Sequence, residues 1–271
     1  MSNTDWIERD LALAVHAARE AGRRVQDLRL TGRWKDEATR ADIGDQAADG
    51  YLRGLLEGRC PEDGVLSEET ADSPARLSKS RVWIVDPLDG TKEFSQLRDD
   101  WAVHVALCVD GECALAAVAL PATNQVLWGV ALAGQRRAGI QGGGTLLSGD
   151  SPEPAKPRMV LSRSHTPEWT PKFAELLGVG EQQPMGSVGY KVARLLLGSA
   201  DVYVHKKGLK EWDTCAPETI ARALGWTVCK LRGDPHRYNQ PDPKNHELVI
   251  CRPRQKARVL DAVAKSGALE T

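Results

Sequence analysis

Three stretches of this chain gather carboxylates beside apolar runs, and clustered carboxylates are the ligands that hard divalent cations take. They are Ser67-Glu68-Glu69, Asp86-Pro87-Leu88-Asp89-Gly90-Thr91 and Trp212-Asp213-Thr214-Cys215-Ala216. In the second, the apolar run Val82-Trp83-Ile84-Val85 delivers Asp86 to the end of a buried strand, where α/β architectures place functional groups. Pro87 keeps Asp86 extended and turns the chain, so that Asp89 folds back beside it. Two carboxylates that close repel unless a dication lies between them. With neither His nor Cys nearby, an oxygen-only ligand set suits Mg2+ rather than zinc. Gly90 permits close backbone approach, and the amides of residues 90–92 form a phosphate cradle where they open a helix. Thr91 offers a hydroxyl to hold and polarise a water. Asp213 begins a helical pattern after a strand and a short basic loop, and so completes the metal site from the second half of the chain.

Each segment alone has a plainer explanation. Asp-Pro and Asp-Gly are ordinary turn dipeptides, and Asp213 can serve as a helix N-cap. Their joint appearance favours a site. A covalent aspartyl phosphatase of the haloacid-dehalogenase type is disfavoured, because it needs a second Asp two residues after the nucleophile. Here Asp86 and Asp89 are three apart with a proline between them. Cys215 reads as a small buried filler rather than a redox-active thiol. His104, in an apolar strand, reads as a structural histidine rather than a ligand, and His16 has no partner pattern. Arg136 and Arg137 read as part of a solvated loop.

The elements that must position these residues follow from periodicity. Leu11, Val15, Ala18, Ala21, Val25 and Leu28 recur at helical spacing over 8–30, and a second helix is expected over 45–57. Strands are expected at 82–85, 101–109, 113–120 and 126–132, with a hairpin at Asp110-Gly111 and a flexible loop over 134–144. Three prolines in 151–158 mark a subdomain boundary. Beyond it, strands at 159–162, 201–205, 227–231 and 248–251 alternate with helices at 167–177, 187–197, 213–224 and 255–265, a layered α/β pattern. The 271 residues carry 36 Lys plus Arg against 37 Asp plus Glu, a net charge of −1 that gives no reason to expect a nucleic-acid polymer. No apolar run is long enough to span a bilayer, and the N-terminus lacks an apolar signal core. Six cysteines without a C-x-x-C pair argue against zinc sites and disulfide frameworks and point to a reducing cytoplasm.

Asp86-Pro87-Leu88-Asp89-Gly90-Thr91 and Trp212-Asp213-Thr214-Cys215-Ala216 resemble the paired signatures of the inositol monophosphatase superfamily, and Ser67-Glu68-Glu69 is similar to its third acidic element. Within it, Thr91-Lys92-Glu93-Phe94, Gly44-Asp45-Gln46-Ala47-Ala48 and Arg237-Tyr238-Asn239-Gln240 are similar to the CysQ-type 3'(2'),5'-bisphosphate nucleotidases. The resemblance implies a layered αβαβα sandwich of the inositol monophosphatase and fructose bisphosphatase type. Residues 1–150 would form an α+β subdomain with the acidic motifs, and residues 158–271 an α/β subdomain, with the active site between them. It further implies that Glu68, Asp86, the carbonyl of Leu88, Asp89 and Asp213 bind two or three Mg2+ ions. Asp45, Thr91 and Glu68 would act on a water activated by the metals, with no covalent intermediate and with inhibition by lithium. Gly90 and Thr91 would hold the scissile phosphate, and Asp213 would also contact the substrate. Ser162, His165, Ser187 and Lys191 stand where relatives contact the nucleotide. His205 stands where an arginine for the 5'-phosphate is expected, with Lys206 and Lys207 as substitutes. The implied reaction removes the 3'-phosphate of 3'-phosphoadenosine 5'-phosphate, or of its phosphosulfate analogue. Inositol monophosphatase or fructose 1,6-bisphosphatase activity is the alternative, and a non-catalytic phosphometabolite sensor is the reading from a different class. Assembly as a homodimer is left open.

Overall fold

The computed structural model describes residues 5–132 and 134–270. Helices α1 (Asp5–Leu30) and α2 (Glu37–Arg59) precede a six-stranded sheet of β1 (Gly64–Ser67), β2 (Arg81–Asp89), β3 (Ala102–Val109), β4 (Glu112–Leu120), β5 (Gln125–Leu132) and β6 (Gln135–Gln141), in chain order. Only β1 and β2 run parallel. A one-turn helix, α3 (Thr91–Ser95), follows β2. The second sheet comprises β7 (Arg158–Ser162), β8 (Glu181–Met185), β9 (Val202–Lys206), β10 (Thr227–Cys229) and β11 (Glu247–Cys251), in the order β10-β11-β9-β7-β8. Between and after these strands come α4 (Thr170–Leu177), α5 (Val188–Leu196), α6 (Glu211–Ala223) and α7 (Lys256–Lys265).

The alternation of each strand sorts its residues into layers. In the first sheet Trp83, Val85, Val103, Val105 and Leu107 pack against α1 and α2, while Val82, Ile84, Ala106 and Cys108 face α5 and α6. In the second sheet Val160, Tyr203, Leu248 and Ile250 face that same helical pair, and Met159, Val202, Val204 and Val249 face α4 and α7. Five layers result, αβαβα, as expected. Asp86 and His104 continue the series of Ile84 and Ala106, so alternation alone turns both toward α5 and α6. Among the described residues no helix is long and apolar enough to cross a membrane. All six cysteines are free, and Cys215, fully buried with its sulfur 3.3 Å from that of Cys113, is held far above its usual pKa by burial.

Four elements differ from expectation. Residues 134–144 are not a flexible loop, because 135–141 form β6 and pair along β5. The glycines there serve the sheet: Gly134 turns at φ +76°, and a Cβ on Gly139 would lie 2.4 Å from the Trp128 ring. The second helix starts at residue 37 rather than 45, capped by Asp36, whose carboxylate accepts from Thr39 N at 2.7 Å. Asp45 therefore projects from the middle of a rigid helix. The short strands β1 and β8 carry too few apolar residues to announce themselves. The Asp110-Gly111 hairpin forms as expected, with φ of +51° and +80°.

Gly129 of β5 sets how closely α6 lies on the first sheet, since a Cβ there would come within 2.9 Å of Ile220 Cα. Gly129→Val should therefore destabilise the protein by about 1–3 kcal/mol through overpacking. Urea unfolding monitored by circular dichroism measures this, and an unchanged midpoint would show that α6 has room to spare.

Candidate active site

β2 does not turn at Pro87. It runs on to Asp89, and the proline region is absorbed as a bulge: Asp86 pairs with His104 and Asp89 with Ala102. Residues three apart on a regular strand point to opposite faces, whereas His104 and Ala102, two apart, share one. The extra residue in β2 thus brings Asp86 and Asp89 to the same face. Ligand atoms of Asp86, Asp89 and His104 all lie within 4.8 Å of one another, and all three side chains are buried.

Asp89 is a settled anion. Its Oδ2 accepts from Ser187 Oγ at 2.5 Å and Gly189 N at 2.7 Å and lies 3.0 Å from His104 Nε2, while Oδ1 accepts from Val188 N at 3.1 Å. Burial alone would raise its pKa, but the His104 charge and these hydrogen bonds outweigh it and bring the group to about 2. Ser187 also caps α5, accepting from Tyr190 N at 2.9 Å. Gly189 leaves room for the imidazole, because a Cβ there would sit 2.1 Å from Nε2.

The other carboxylates are not settled. Asp86 Oδ1 accepts from Leu88 N at 3.1 Å, but its buried Oδ2 has no hydrogen-bond partner. Burial, and then the charges of Glu68, Asp89 and Asp213, push its pKa well above the usual range. Glu68, accessible at the rim yet crowded by protein, is raised to about 7 by lost hydration and by Glu69 and Asp89. Asp213, at the third position of α6, caps the helix by accepting from Lys210 N at 2.7 Å, so its plainer role is real. Burial and then Asp89 raise it to about 7 all the same. An orphaned buried oxygen among carboxylates that resist ionisation is the seat of a missing positive charge, and this oxygen-rich set fits a hard dication.

Asp45 on α2 reaches the same place. Thr91 Oγ1 lies 3.3 Å from Asp45 Oδ1 and 3.0 Å from the Leu88 carbonyl, and burial with the nearby Glu69 and Glu68 lifts Asp45 to about 7. Gly90, at φ +93°, has no room for a side chain between Ser187 and Trp101, 3.2 and 3.3 Å from a Cβ. Lys191 is buried with its ammonium 5.3 Å from the Tyr203 ring centroid, and burial lowers its pKa to about 8.

The remaining sequence-selected residues border a cavity of about 660 Å3, lined by His165, Trp169, His205, Lys206, Lys207 and Leu209 among others. It lies near the acidic motif, since His205 in its wall feels the charges of Lys191 and Asp89. Ser162 lies behind it, with its Oγ accepting from His165 N. Both ring nitrogens of His205 are engaged, Nδ1 with Tyr203 Oη at 2.9 Å and Nε2 with the Lys207 carbonyl at 2.8 Å. Burial and then Lys191 depress it to about 4, so at neutral pH it brings no charge.

The sequence reading of His104 as structural missed its place beside the acidic group. The residue is structural, with Nδ1 3.1 Å from the Trp212 carbonyl, and it is also within the site through Asp89. Only the pairing of β3 with β2 signals this. Arg163 was missed too: it bridges Glu93 at 3.0 Å and Asp100 at 2.6 Å, and Asp100 in turn accepts from Gly186 N just before Ser187.

In a chelator, folded Asp86, Glu68 and Asp213 retain protons that the unfolded chain releases at ordinary carboxylate pKa values. Raised pKa values contribute stability at low pH that is lost as pH rises from about 4 through about 7. Asp89, lowered to about 2, has the opposite sign but a window below about 4; His205, lowered to about 4, opposes over the lower part of the pH range as one group against three. The metal-free Tm should therefore fall between about pH 5 and 8, and fall less in Asp86→Asn. A wild-type Tm flat over that range in differential scanning fluorimetry would refute the arrangement.

Residues 6–268 match the family model described as the inositol monophosphatase family. The chain is 36% identical over 253 residues to the 3'-phosphoadenosine 5'-phosphate phosphatase of Mycobacterium tuberculosis, covering 90% of each chain. Among solved structures it superposes on CysQ of Bacteroides thetaiotaomicron with a TM-score of 0.77 at 26% identity, over 90% of this chain and 97% of that one. It shares its fold with the inositol monophosphatase of Anabaena, TM-score 0.78 at 20% identity over 96% of each. With the acidic segments brought together as the motifs imply and the match running almost from end to end, the chain belongs to the inositol monophosphatase family.

Proposed function

We propose that this protein is a Mg2+-dependent, lithium-sensitive phosphatase that removes the 3'-phosphate of 3'-phosphoadenosine 5'-phosphate, yielding AMP and phosphate in the cytoplasm. The observation that carries this reading is the 660 Å3 cavity beside the unsettled carboxylates, in a chain similar to 3'-phosphoadenosine 5'-phosphate phosphatases. Its size suits a nucleoside, and Trp169, Pro167 and Leu209 give it apolar wall. Glu68, Asp86, the Leu88 carbonyl, Asp89 and Asp213 would hold the ions, two or three in all. Mg2+, when bound, supplies the positive charge that lowers the pKa of a water and offsets charge on the phosphoryl group.

The protein's own groups do the rest. Asp45, near neutrality in its pKa, is suited to take a proton from the attacking water. Thr91 has one hydroxyl proton and two acceptors within reach, Asp45 and the Leu88 carbonyl, so it can orient that water while its own proton stays anchored. Glu68 borders the same space. Gly90 and Thr91 admit the scissile phosphate, Asp213 a substrate hydroxyl. Of the residues expected at the nucleotide, His165 lines the cavity, Ser162 lies behind it, and Ser187 and Lys191 are buried beside Asp89. With His205 neutral, Lys207 is the cation at the cavity wall for a 5'-phosphate, beside Lys206, whose ammonium donates to the Ala268 carbonyl.

Purified protein offered 3'-phosphoadenosine 5'-phosphate, inositol 1-phosphate and fructose 1,6-bisphosphate in Mg2+ should release phosphate fastest from the nucleotide, and lithium should suppress it. Preference for the inositol or sugar phosphate would overturn the substrate assignment but keep the chemistry, and release from none would point to a sensor. Asp86→Asn should remove turnover, and Asp45→Asn should lower kcat by about 10²–10⁴-fold, the range for loss of a general base. Near-native activity of Asp86→Asn in saturating Mg2+ would sink the metal assignment.

A further inference from the structure

Arg237-Tyr238-Asn239-Gln240 lies outside the chemistry described so far, yet the fold joins it to two of the acidic segments. Arg76, in the short helical turn Pro74–Ser78 that follows Ser67-Glu68-Glu69, is only 2% exposed despite its charge. Its guanidinium donates to Asp72 Oδ1 and Oδ2 at 2.6 and 2.7 Å, to Asn239 Oδ1 at 2.7 Å and to the Gln240 carbonyl at 2.9 Å. Asn239 Nδ2 donates back to the Arg76 carbonyl at 3.3 Å. From the other side, the buried carboxylate of Glu211 accepts from Asn239 N at 2.7 Å and Gln240 N at 2.8 Å. Glu211 opens α6 two residues before Asp213. Asn239 holds a left-handed φ of +57°, which turns both successive amides onto that carboxylate.

The acidic turn is gripped at its other end as well. Ser67 Oγ and Thr70 Oγ1 donate to Asp49 of α2 at 2.5 and 2.9 Å. The segment that carries Glu68 is thus held between α2, which carries Asp45, and a loop hooked onto the start of α6, which carries Asp213. No direct contact between Glu68 and Asp213 is needed for their separation to be set. Buried, fork-shaped hydrogen bonding of this kind has one geometry, so it transmits position rather than merely adding stability.

We propose that Arg76, Asn239, Gln240 and Glu211 form a clasp that fixes the distance between Glu68 and Asp213, with Arg76 and Glu211 as positioning residues for a shared cation. The inference rests on the metal-binding reading above. Loosening the clasp leaves every ligand in the chain but lets the two carboxylates drift apart, so cation affinity falls while the fold persists. Partners that orient metal ligands are worth about 10–100-fold in affinity, and that is the loss expected here.

The test is Mg2+ binding by isothermal titration calorimetry on the full chain, with Tm in chelator measured alongside. Arg76→Met removes the hub. Asn239→Gly is the gentler variant, since it keeps the left-handed backbone and removes only the side-chain contacts to Arg76. Asp201→Asn is the control, because it breaks a buried ion pair with Arg158 at the far end of the second sheet, 2.9 Å apart, away from all carboxylate ligands. Weaker Mg2+ binding in Asn239→Gly, and in Arg76→Met where it folds, with wild-type affinity in Asp201→Asn, supports the clasp. Wild-type affinity in a folded Asn239→Gly, or a loss in all variants that tracks Tm, overturns it. Failure of the wild type to bind Mg2+ would instead remove the metal reading itself.

Discussion

Like charge held where water is scarce is the constraint on which this structure turns. Two carboxylates at the separation of Asp86 and Asp89 repel by roughly 3 kcal/mol even at the moderate effective dielectric of a protein, and Glu68 and Asp213 add to it. No single element would keep such a group together, because each charge would swing out to water. The fold draws the carboxylates from separate elements instead, from β2, from the turn after β1 and from the first turn of α6. It gives only Asp89 a full set of donors. That asymmetry leaves one permanent anion, backed by the α5 N-terminus and His104, among neighbours that await a counter-charge.

The central helical layer is what makes this geometry hold. α5 and α6 are covered by a sheet on each side, and their first turns meet the end of β2. Small residues let the layers approach: Gly189 accommodates His104, and Gly129 accommodates α6. His104 then links the two helices, facing Asp89 and through it the start of α5 on one side, and the Trp212 carbonyl of α6 on the other. Apart from Glu68, on the turn after β1, the acidic group is therefore built into packed backbone rather than displayed on loops.

The readable part of this site was the part carried by local chemistry. An apolar run ending in Asp-Pro-Leu-Asp-Gly-Thr names its own ligands, the layered α/β pattern followed from alternation, and its five layers from the family resemblance. What brings Asp86 and Asp89 to one face, however, is a bulge defined only against β3, and pairing partners are not written in either strand alone. His104 escaped for the same reason, being a lone polar residue in an apolar strand until its neighbour across the sheet is known. β6 was misread because its glycines, which relieve Trp128, look like loop residues by composition. Asp36 was an available signal for the start of α2, overlooked because the residues it caps are polar.

The two halves of the cleft carry opposite charge. Without a cation the carboxylates repel a phosphate, so the acidic end attracts its anionic substrate only once positive charge has been bound there. The cavity at the other end needs no such conversion: Lys207 lines it, as does Lys206 with its ammonium on the Ala268 carbonyl, while His205 stays neutral between Tyr203 and Lys207. A substrate with a single phosphate can satisfy one end only. On the proposed reading, a bisphosphate would meet both a conditional anion site and a standing one. Lys191, buried beneath Tyr203 and within the field of Asp89, lies where the two fields meet.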